Sequence, residues 1–542
     1  MLTLIRGGRV IDPAHGRDGI GEVWVEGDRI IAAPESRTPD HVIDATGMVV
    51  MAGAIDVHSH IAGGNVVLSR LLLPELHVNE LGDPNRPFGS ACGSAAQTGR
   101  LYARMGYTTV IEPALPPSAA LATHLELEDV PFIDRGALTV MGNDDQLLAL
   151  LRAGESRTAV RDLTAQTLAL SRGLGLKVIN AGGAAAFKEN VRTFDLDDEV
   201  PSYGLTSRRI LTALLDAHEA VGVPHPLHVH CNNLGAPGAF ETMIETMRTA
   251  EGRPIHFAHA QFYAYAAHAA GGISSAAETL CEALAAHPNV TLDVGQVVFG
   301  QTCTISLDIL RQFSARGAAD PKKWIIVDGD AEGGGLVPFN YKRGSVFNAL
   351  QFMIGLELFL LSPDPWRVLL TTDHPNGGPF TAYPRLIHLL MDKEERTREL
   401  ANLPSKAVAR CGLSAIAREF TLAEVAIMTR AAPARLLGLA DRGHLAPGAK
   451  ADIAVYRDQA DRTAMFSVAA LVLKDGETIV REGAVAAVHR GRTLTLAPQA
   501  DAAMTRRTET YLQDRFGRGL DSFRVPEAAF ARDVFAPQPC RV

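Results

Sequence analysis

Residues 54–64 read AIDVHSHIAGG, an apolar run that ends in two histidines and a pair of glycines. Because side chains alternate along a strand, His58 and His60 point to the same side of a strand, where two imidazoles can bind one metal ion. Asp56 points to the same side of the strand as these histidines, and it either orients a metal ligand or satisfies a buried hydrogen bond. The stretch therefore predicts a strand that ends in a metal site.

Similar apolar runs recur along the chain, and most are followed by helical stretches rich in alanine and leucine. These runs are YTTVIEPA (107–114), GLKVINAG (175–182), PLHVHCN (226–232), IHFAHA (255–260), VTLDVG (290–295), WIIVDGD (324–330) and VLLTTDH (368–374). Together with the first stretch they give about eight strand–helix units, which predicts an α/β fold with a (β/α)8 barrel of the TIM type. The two histidines would then stand at the carboxyl end of the first barrel strand, where barrel enzymes keep their active sites.

The two ends of the chain differ from its middle, because both carry short β-branched strands separated by glycine turns. We predict that residues 1–51 and 441–496 form one small β-sandwich, into which the barrel of residues 52–440 is inserted. Residues 497–542 form a tail with a predicted helix at 501–516.

Composition narrows the class of function. The net charge is −9 and no run of Lys or Arg exceeds a pair, which argues against nucleic-acid binding. No window reaches the roughly 18 apolar residues of a membrane span, and the start of the chain does not resemble a signal peptide. The six cysteines include no CxxC pair, a pattern typical of proteins whose thiols are reduced. We therefore expect a cytoplasmic protein that acts on a small molecule.

Lys177 lies inside the otherwise apolar run GLKVINAG. An unpaired ammonium is unfavourable to bury, and burial lowers the pKa of a lysine. The neutral amine could then react with carbon dioxide to give a carbamate, whose two oxygens can bridge two cations. In the alternative interpretation, the side chain extends out of the barrel end and keeps its charge in water.

Two further runs each carry two histidines. His228 and His230 share one strand face, so one is expected to be a ligand and the other a supporting or substrate contact; His230 is favoured because it directly precedes the polar loop. His256 and His259 are three apart, so a straight strand cannot face both inward. His259 is favoured because it lies nearer the strand end.

VLLTTDHPNGGPF (368–380) ends a buried strand at Asp373. A carboxylate at this position can bind one metal ion and still accept a proton. As an alternative, Asp373 could cap the following helix.

Taken in order, His58, His60, Lys177, His230, His259 and Asp373 resemble the ligand set of the amidohydrolase superfamily. The resemblance spans nearly the whole chain, including the stretches at 43–60 and 430–456. The extended motifs DVHSHIAGG (56–64), GLKVINAGG (175–183), HVHCNNLG (228–235), HAQFYAY (259–265) and TTDHPNGGPF (371–380) are similar to the amidohydrolase-type subunit of formylmethanofuran dehydrogenases and of formyltransferase/hydrolase complexes.

The resemblance implies hydrolysis of N-formylmethanofuran, or an analogue, to formate and free carrier. It implies two zinc ions bridged by N6-carboxylated Lys177, and a formyltransferase subunit with further subunits as partners in a hetero-oligomeric complex. We expect Asp373 to be the catalytic proton acceptor, and we take His228, Asn233 and the loop from Asn376 to Phe380 as candidates for contact with the methanofuran-type carrier. The DGDAEGGG stretch (328–335) either closes over the pocket or forms a rigid acidic turn.

Two other functions remain open at this point. The chain could be a free-standing cyclic amidohydrolase of the hydantoinase or dihydroorotase type. It could also be a metal-free scaffold subunit, although the full set of ligand-type residues argues against a decayed site.

Overall fold

The computed structural model describes residues 1–74, 93–306 and 335–541. Eight parallel strands lie side by side in chain order: β6 (Ala54–Asp56), β7 (Tyr107–Leu115), β8 (Asp134–Met141), β9 (Gly175–Ile179), β12 (Leu227–His230), β13 (Ile255–Phe257), β16 (Val290–Asp293) and β19 (Val368–Leu369). The last strand returns to the first, since Ser59 pairs with His374 in parallel and the His60 N–H donates to the His374 carbonyl at 2.7 Å. The predicted (β/α)8 barrel is confirmed.

One strand of the barrel differs from the sequence-based set. The structure includes β8, which sequence analysis did not assign, whereas the predicted strand WIIVDGD (324–330) and the stretch 328–334 lie outside the described residues. β8 begins with Asp134, Arg135 and Gly136, so its sequence DRGALTVM lacks the continuous apolar run by which the other buried strands were predicted.

Helices surround the barrel and fill the connections between strands. Their bounds are Gly64–Leu72, Ala95–Arg104, Ala120–Glu128, Asp145–Arg152, Arg157–Ser171, Gly183–Lys188, Ser207–Val221, Ala239–Thr249, Ala277–Ala286, Val346–Leu361, Tyr383–Met391, Lys393–Leu400, Ser405–Val408, Leu422–Ala426, Ala432–Leu436, Arg462–Ser467 and Ala502–Phe516. The strand pairs β10 (Glu199–Val200) with β11 (Leu205–Thr206), β14 (Tyr265–Ala267) with β15 (Ile273–Ser275), and β17 (Gly300–Ser306) with β18 (Gly335–Tyr341) form short antiparallel ribbons. Among the described helices, none is long and apolar enough to cross a membrane.

Both ends of the chain contribute to one nine-stranded sheet. Its members are β1 (Leu2–Asp12), β2 (Arg17–Glu26), β3 (Arg29–Ile31), β4 (His41–Asp44), β5 (Met48–Ala52), β20 (Ile453–Arg457), β21 (Leu471–Lys474), β22 (Glu477–Arg481) and β23 (Ala484–Val485). The two halves meet where β5 pairs antiparallel with β20. The β unit predicted from both chain ends is thus observed, and the long strand β1 connects its parts by pairing with β2, β4 and β5.

The last two strands, β24 (Thr493–Leu496) and β25 (Phe535–Gln538), belong to the barrel sheet and not to the terminal sheet. β24 pairs in parallel with the start of β8, where the Arg492 N–H donates to Asp134 at 2.7 Å and Leu494 is buried. Sequence analysis had assigned this strand to the terminal unit. The predicted tail helix is observed at Ala502–Phe516.

A buried ion cluster joins the terminal sheet to the barrel. Asp134 of β8 accepts from Arg442 at 2.8 Å and lies 3.1 Å from the Lys474 ammonium, which also contacts Asp452 at 3.1 Å. All four side chains are buried, so the cluster fixes the two units by charge pairing in a low dielectric.

Candidate metal centre

Three side chains from opposite ends of the barrel sequence meet at the carboxyl ends of its strands. His58 Nε2 lies 3.0 Å and His60 Nε2 lies 3.4 Å from Asp373 Oδ1. The three possible ligand atoms lie within 4.8 Å of one another, and all three residues are at most slightly exposed. This geometry fits a metal ion bound by two imidazoles and a carboxylate.

Lys177 is buried within the same end of the barrel, at 2% exposure. Among the described residues, none accepts a hydrogen bond from its Nζ. Burial lowers the pKa of Lys177 to about 8, although the charges of Asp293 and Asp373 oppose the shift. A buried amine without a partner fits a lysine that carries a further group in the working protein better than it fits a lysine that reaches solvent.

The structure separates the two histidine pairs into layers. His230 and His259 lie together, with ring centroids 4.6 Å apart, and His259 lies 5.4 Å from His58. His228 and His256 pair with each other one layer deeper, with centroids 4.4 Å apart.

The chain leaves strand geometry after Phe257, which explains how both histidines of IHFAHA face inward. His259 has a φ of 40°, in the left-handed region, so the alternation of the strand does not continue to it. His256 instead bonds to Thr291 Oγ1 at 2.9 Å and to Asp293 at 3.2 Å.

Asp293, which sequence analysis did not single out, connects three of the barrel strands. Its Oδ2 lies 3.0 Å from His58 Nδ1, and its Oδ1 accepts from the His259 backbone N–H at 2.9 Å and from Thr371 Oγ1 at 2.6 Å. When Nδ1–H of His58 is donated to this carboxylate, the Nε2 lone pair faces Asp373 and is available to a metal. A signal existed in the sequence, since VTLD ends a buried strand in a carboxylate.

Glu112 orients the second histidine, His60, in the same way that Asp293 orients His58. Its Oε1 lies 2.9 Å from His60 Nδ1, and its Oε2 accepts from the backbone N–H groups of Ile61 at 2.7 Å and Ala62 at 3.1 Å. These bonds fix both the ring of His60 and the loop that follows it. Glu112 lies within the buried strand β7, after the apolar pair Val110 and Ile111, and was likewise missed.

Asp56 satisfies buried donors and is not in the group that meets at the centre. It accepts from Tyr102 at 2.7 Å, from Tyr383 at 2.5 Å and from the His58 backbone N–H at 3.0 Å. Of the two interpretations left open by the sequence, the hydrogen-bonding one describes these contacts.

The predicted substrate contacts have different surroundings. His228 is buried, and neither ring nitrogen has a hydrogen-bond partner among the described residues. The Asn233 amide nitrogen donates to Asp195 and Thr242, each at 2.8 Å, which leaves only its oxygen for a further contact. Asn376 is buried beside the centre, and its backbone N–H donates to the Asp373 carbonyl at 2.6 Å.

A closed parallel barrel with histidines, a buried lysine and an aspartate at the carboxyl ends of its strands defines the class of barrel amidohydrolases. A sequence profile of the amidohydrolase family matches residues 41–480, and the chain belongs to that family. This confirms the resemblance stated from the motifs.

Similarity to individual proteins gives more specific information than the family match. Over their full lengths, the chain is 62% identical to the FhcA component of the formyltransferase/hydrolase complex of Methylorubrum extorquens. It is 38% identical to the protein FwdA of Methanocaldococcus jannaschii, covering 90% of this chain and 89% of that one. A crystal structure of the Methylorubrum extorquens complex with methylofuran contains a chain that superposes with a TM-score of 0.95 at 62% identity over all of both chains.

Proposed function

We propose that this chain hydrolyses an N-formylated furfurylamine carrier of the methanofuran type, releasing formate and free carrier. One observation carries the proposal: a buried lysine, with no hydrogen-bond partner in the described part of the chain, shares the barrel end with the His–His–Asp group in a chain that is 62% identical over its full length to FhcA. The name of that relative's complex and the chemistry of the donor set point to the same class of reaction.

The donor set fits two divalent ions. We propose that His58, His60, His230, His259, Asp373 and a carboxylated Lys177 would hold these ions. When bound, two zinc ions supply Lewis-acid activation of water and of the formyl oxygen. Asp293 and Glu112 hold two of the imidazoles in the orientation that this set requires.

Asp373 is the proposed proton carrier. The charges of His58 and His259 hold its pKa well below the usual range even though burial opposes this shift, so it begins as a carboxylate. In the reaction it takes a proton from the attacking water and delivers it to the carrier nitrogen, which leaves as an amine. The new C–O bond forms first, and the C–N bond of the tetrahedral adduct then breaks as the nitrogen takes the proton from Asp373; no oxidant or reductant is required.

The proposed partners are a formyltransferase and the other components of a hetero-oligomeric complex. The support comes from the Methylorubrum extorquens structure, which is of a complex named FhcABCD. A partner that loads the carrier with a formyl group would supply the substrate that this chain cleaves.

The decisive experiment measures zinc per chain and formate release from a formylated furfurylamine, on protein purified with its native partners. We expect about two zincs per chain, as in binuclear hydrolase sites, and turnover that is lost in Lys177→Ala. The matched control is Lys188→Ala, which removes an exposed lysine from the helix after β9 and should change neither quantity.

Less than one metal per chain together with no formate release would overturn the proposal and leave the barrel as a scaffold. Activity of the isolated chain on hydantoin-like rings, without activity on the formylated amine, would instead support a cyclic amidohydrolase. An Asp373→Asn protein that keeps its metals but loses turnover supports the proton role, whereas retained turnover contradicts it.

A further inference from the structure

The loop that follows Asp373 is held by hydrogen bonds to its carbonyl oxygens. Four successive carbonyls each accept a bond from another part of the chain, and they belong to His374, Pro375, Asn376 and Gly377. The first and the last are held by backbone groups: the His60 N–H bonds to the first at 2.7 Å, and the Val298 N–H bonds to the last at 2.7 Å. These two bonds tie the loop to the first barrel strand and to the segment after β16.

Side-chain hydroxyls of the ribbon β17–β18 hold the two middle carbonyls. Thr302 Oγ1 donates to the Pro375 carbonyl, and Tyr341 Oη donates to the Asn376 carbonyl at 3.0 Å. Both of these ribbon side chains are buried, at 1% exposure. Because the two bonds are shielded from water, removal of either hydroxyl takes a donor from a carbonyl that water does not readily reach.

The backbone of Asp373 makes its position depend on this loop. Its φ is 49°, in the left-handed region that is unfavourable for residues other than glycine, and such a conformation persists only when the surrounding structure determines it. The loop also bonds back to this turn, since the Asn376 N–H donates to the Asp373 carbonyl at 2.6 Å and the Gly377 N–H donates to the Thr372 carbonyl at 3.0 Å. A displaced loop would therefore move the Asp373 carboxylate.

We propose that Thr302 and Tyr341 are positioning residues for Asp373. Each hydroxyl holds one carbonyl of the loop, and together they keep the carboxylate where it can take a proton from water and pass it to the carrier nitrogen. This inference rests on the proposed hydrolysis. The hydroxyls act on the rate of proton transfer and not on the affinity for the carrier, so their loss should lower kcat and leave KM nearly unchanged.

Thr302 allows a matched pair of variants. Thr302→Val keeps the shape of the side chain and removes the hydroxyl, whereas Thr302→Ser keeps the hydroxyl and removes the methyl group. In protein purified with its native partners, we expect Thr302→Val to lower kcat for formate release by about tenfold, since a displacement of 1 Å costs about a hundredfold. Thr302→Ser should keep most of the wild-type kcat, and zinc content should be unchanged in both.

Tyr341→Phe tests the second hydroxyl and should lower kcat by a similar factor. Its control is Tyr456→Phe, which removes a hydroxyl that is equally buried and donates to the Met105 carbonyl at 2.8 Å, in the terminal sheet. Tyr456→Phe should keep the wild-type kcat, even where it lowers the free energy of unfolding as much as Tyr341→Phe does.

Hydrogen exchange measures the hold on the loop without reference to activity. In Thr302→Val and Tyr341→Phe, we expect faster amide exchange in the peptide 371–380 and unchanged exchange in β20. If the wild-type complex releases no formate, the proposed hydrolysis fails, and this comparison still decides whether the hydroxyls hold the loop.

Three results would overturn the positioning role. They are a Thr302→Val protein that turns over as fast as Thr302→Ser, a loss that appears in KM and not in kcat, and unchanged exchange in the peptide 371–380 of both hydroxyl-deleted variants. A loss of kcat in Tyr456→Phe as large as that in Tyr341→Phe would equally overturn it, because the effect would then come from general destabilisation.

Discussion

At the scale of single residues, the carboxylates Asp293 and Glu112 determine which nitrogen of each histidine faces the centre. Asp293 is the more connected, because it holds His58, His256 and the backbone of His259 together. Replacing Asp293 with Asn keeps the shape of the side chain and removes its charge. We expect zinc affinity to fall by roughly 10- to 100-fold, the usual effect of losing such a supporting carboxylate.

The measurement is a zinc titration against a chelator of known affinity. Asp521→Asn, at a side chain 92% exposed, is the matched control and should bind zinc normally. Unchanged affinity in Asp293→Asn would show that packing alone orients His58.

Lys177 gives a prediction about pH. With a pKa of about 8, roughly a tenth of this amine is neutral at pH 7, against less than one in a thousand for an ordinary lysine. Because only the neutral amine reacts with carbon dioxide, the rate of carbamate formation in metal-free protein should rise from pH 6 to about 8 and then level off.

This rate can be followed by carbon-13 NMR at a fixed concentration of dissolved labelled carbon dioxide. Lys177→Arg supplies the background from all other lysines. A rate that continues to rise steeply above pH 9 would mean that burial does not lower this pKa.

Part of the candidate site could be predicted from the sequence, and the rest could not be predicted for a physical reason. His58 and His60 follow from the alternation of one strand, and Lys177 and Asp373 from a polar residue in an apolar run. Asp293 could not be paired with His58 in advance, because the two are 235 residues apart and only the closure of the barrel brings them to 3.0 Å.

At the scale of elements, a close backbone contact positions His259. Gly295, the second residue after β16, has a φ of +64°, and a Cβ added there would meet His259 Cβ at 2.3 Å and its Cα at 2.7 Å. Since the backbone of His259 cannot yield without moving its ring, we expect Gly295→Ala to reduce zinc content and turnover, by about tenfold or more for a displacement near 1 Å.

Gly204→Ala is the control that separates the effect of backbone strain from the effect of the steric contact with His259. Gly204 has a φ of +59° with nothing within 4 Å of the added Cβ, so it should cost only the roughly 1–2 kcal/mol of a left-handed residue. Equal loss of zinc in both variants, measured by metal analysis, would contradict the role assigned to Gly295.

Most elements were predictable because apolar runs of strand length alternate with helical stretches. β8 was missed because two charged residues and a glycine open its sequence, and His259 lies beyond the end of its strand. In each case tertiary burial, rather than local periodicity, determines the structure.

At the scale of the whole molecule, the ion cluster around Asp134 joins the terminal sheet to the barrel. Arg442→Met removes one partner and leaves buried carboxylate charge behind. We expect the free energy of unfolding to fall by about 3–5 kcal/mol, measured by urea denaturation.

Arg457→Met is the control for this change. Its pair with Glu482 is more than half exposed on both sides and should contribute less than about 1 kcal/mol. Similar losses in the two variants would show that burial does not strengthen the Asp134 cluster.

Sequence pattern assigned both ends of the chain to one unit, and β5 and β20 do pair. It assigned β24 to the wrong sheet, because a four-residue strand of alternating Thr and Leu fits either sheet and only its contact with β8 decides.

The pairing of β5 with β20 also means that β5 must wait for its partner strand during synthesis. About 400 residues separate the two strands, so at 5–20 residues per second a ribosome needs roughly 20–80 s to deliver the partner of an already formed strand. During that interval β5 presents an open hydrogen-bonding edge, the kind of surface on which nascent chains aggregate. Slower translation would lengthen this exposure.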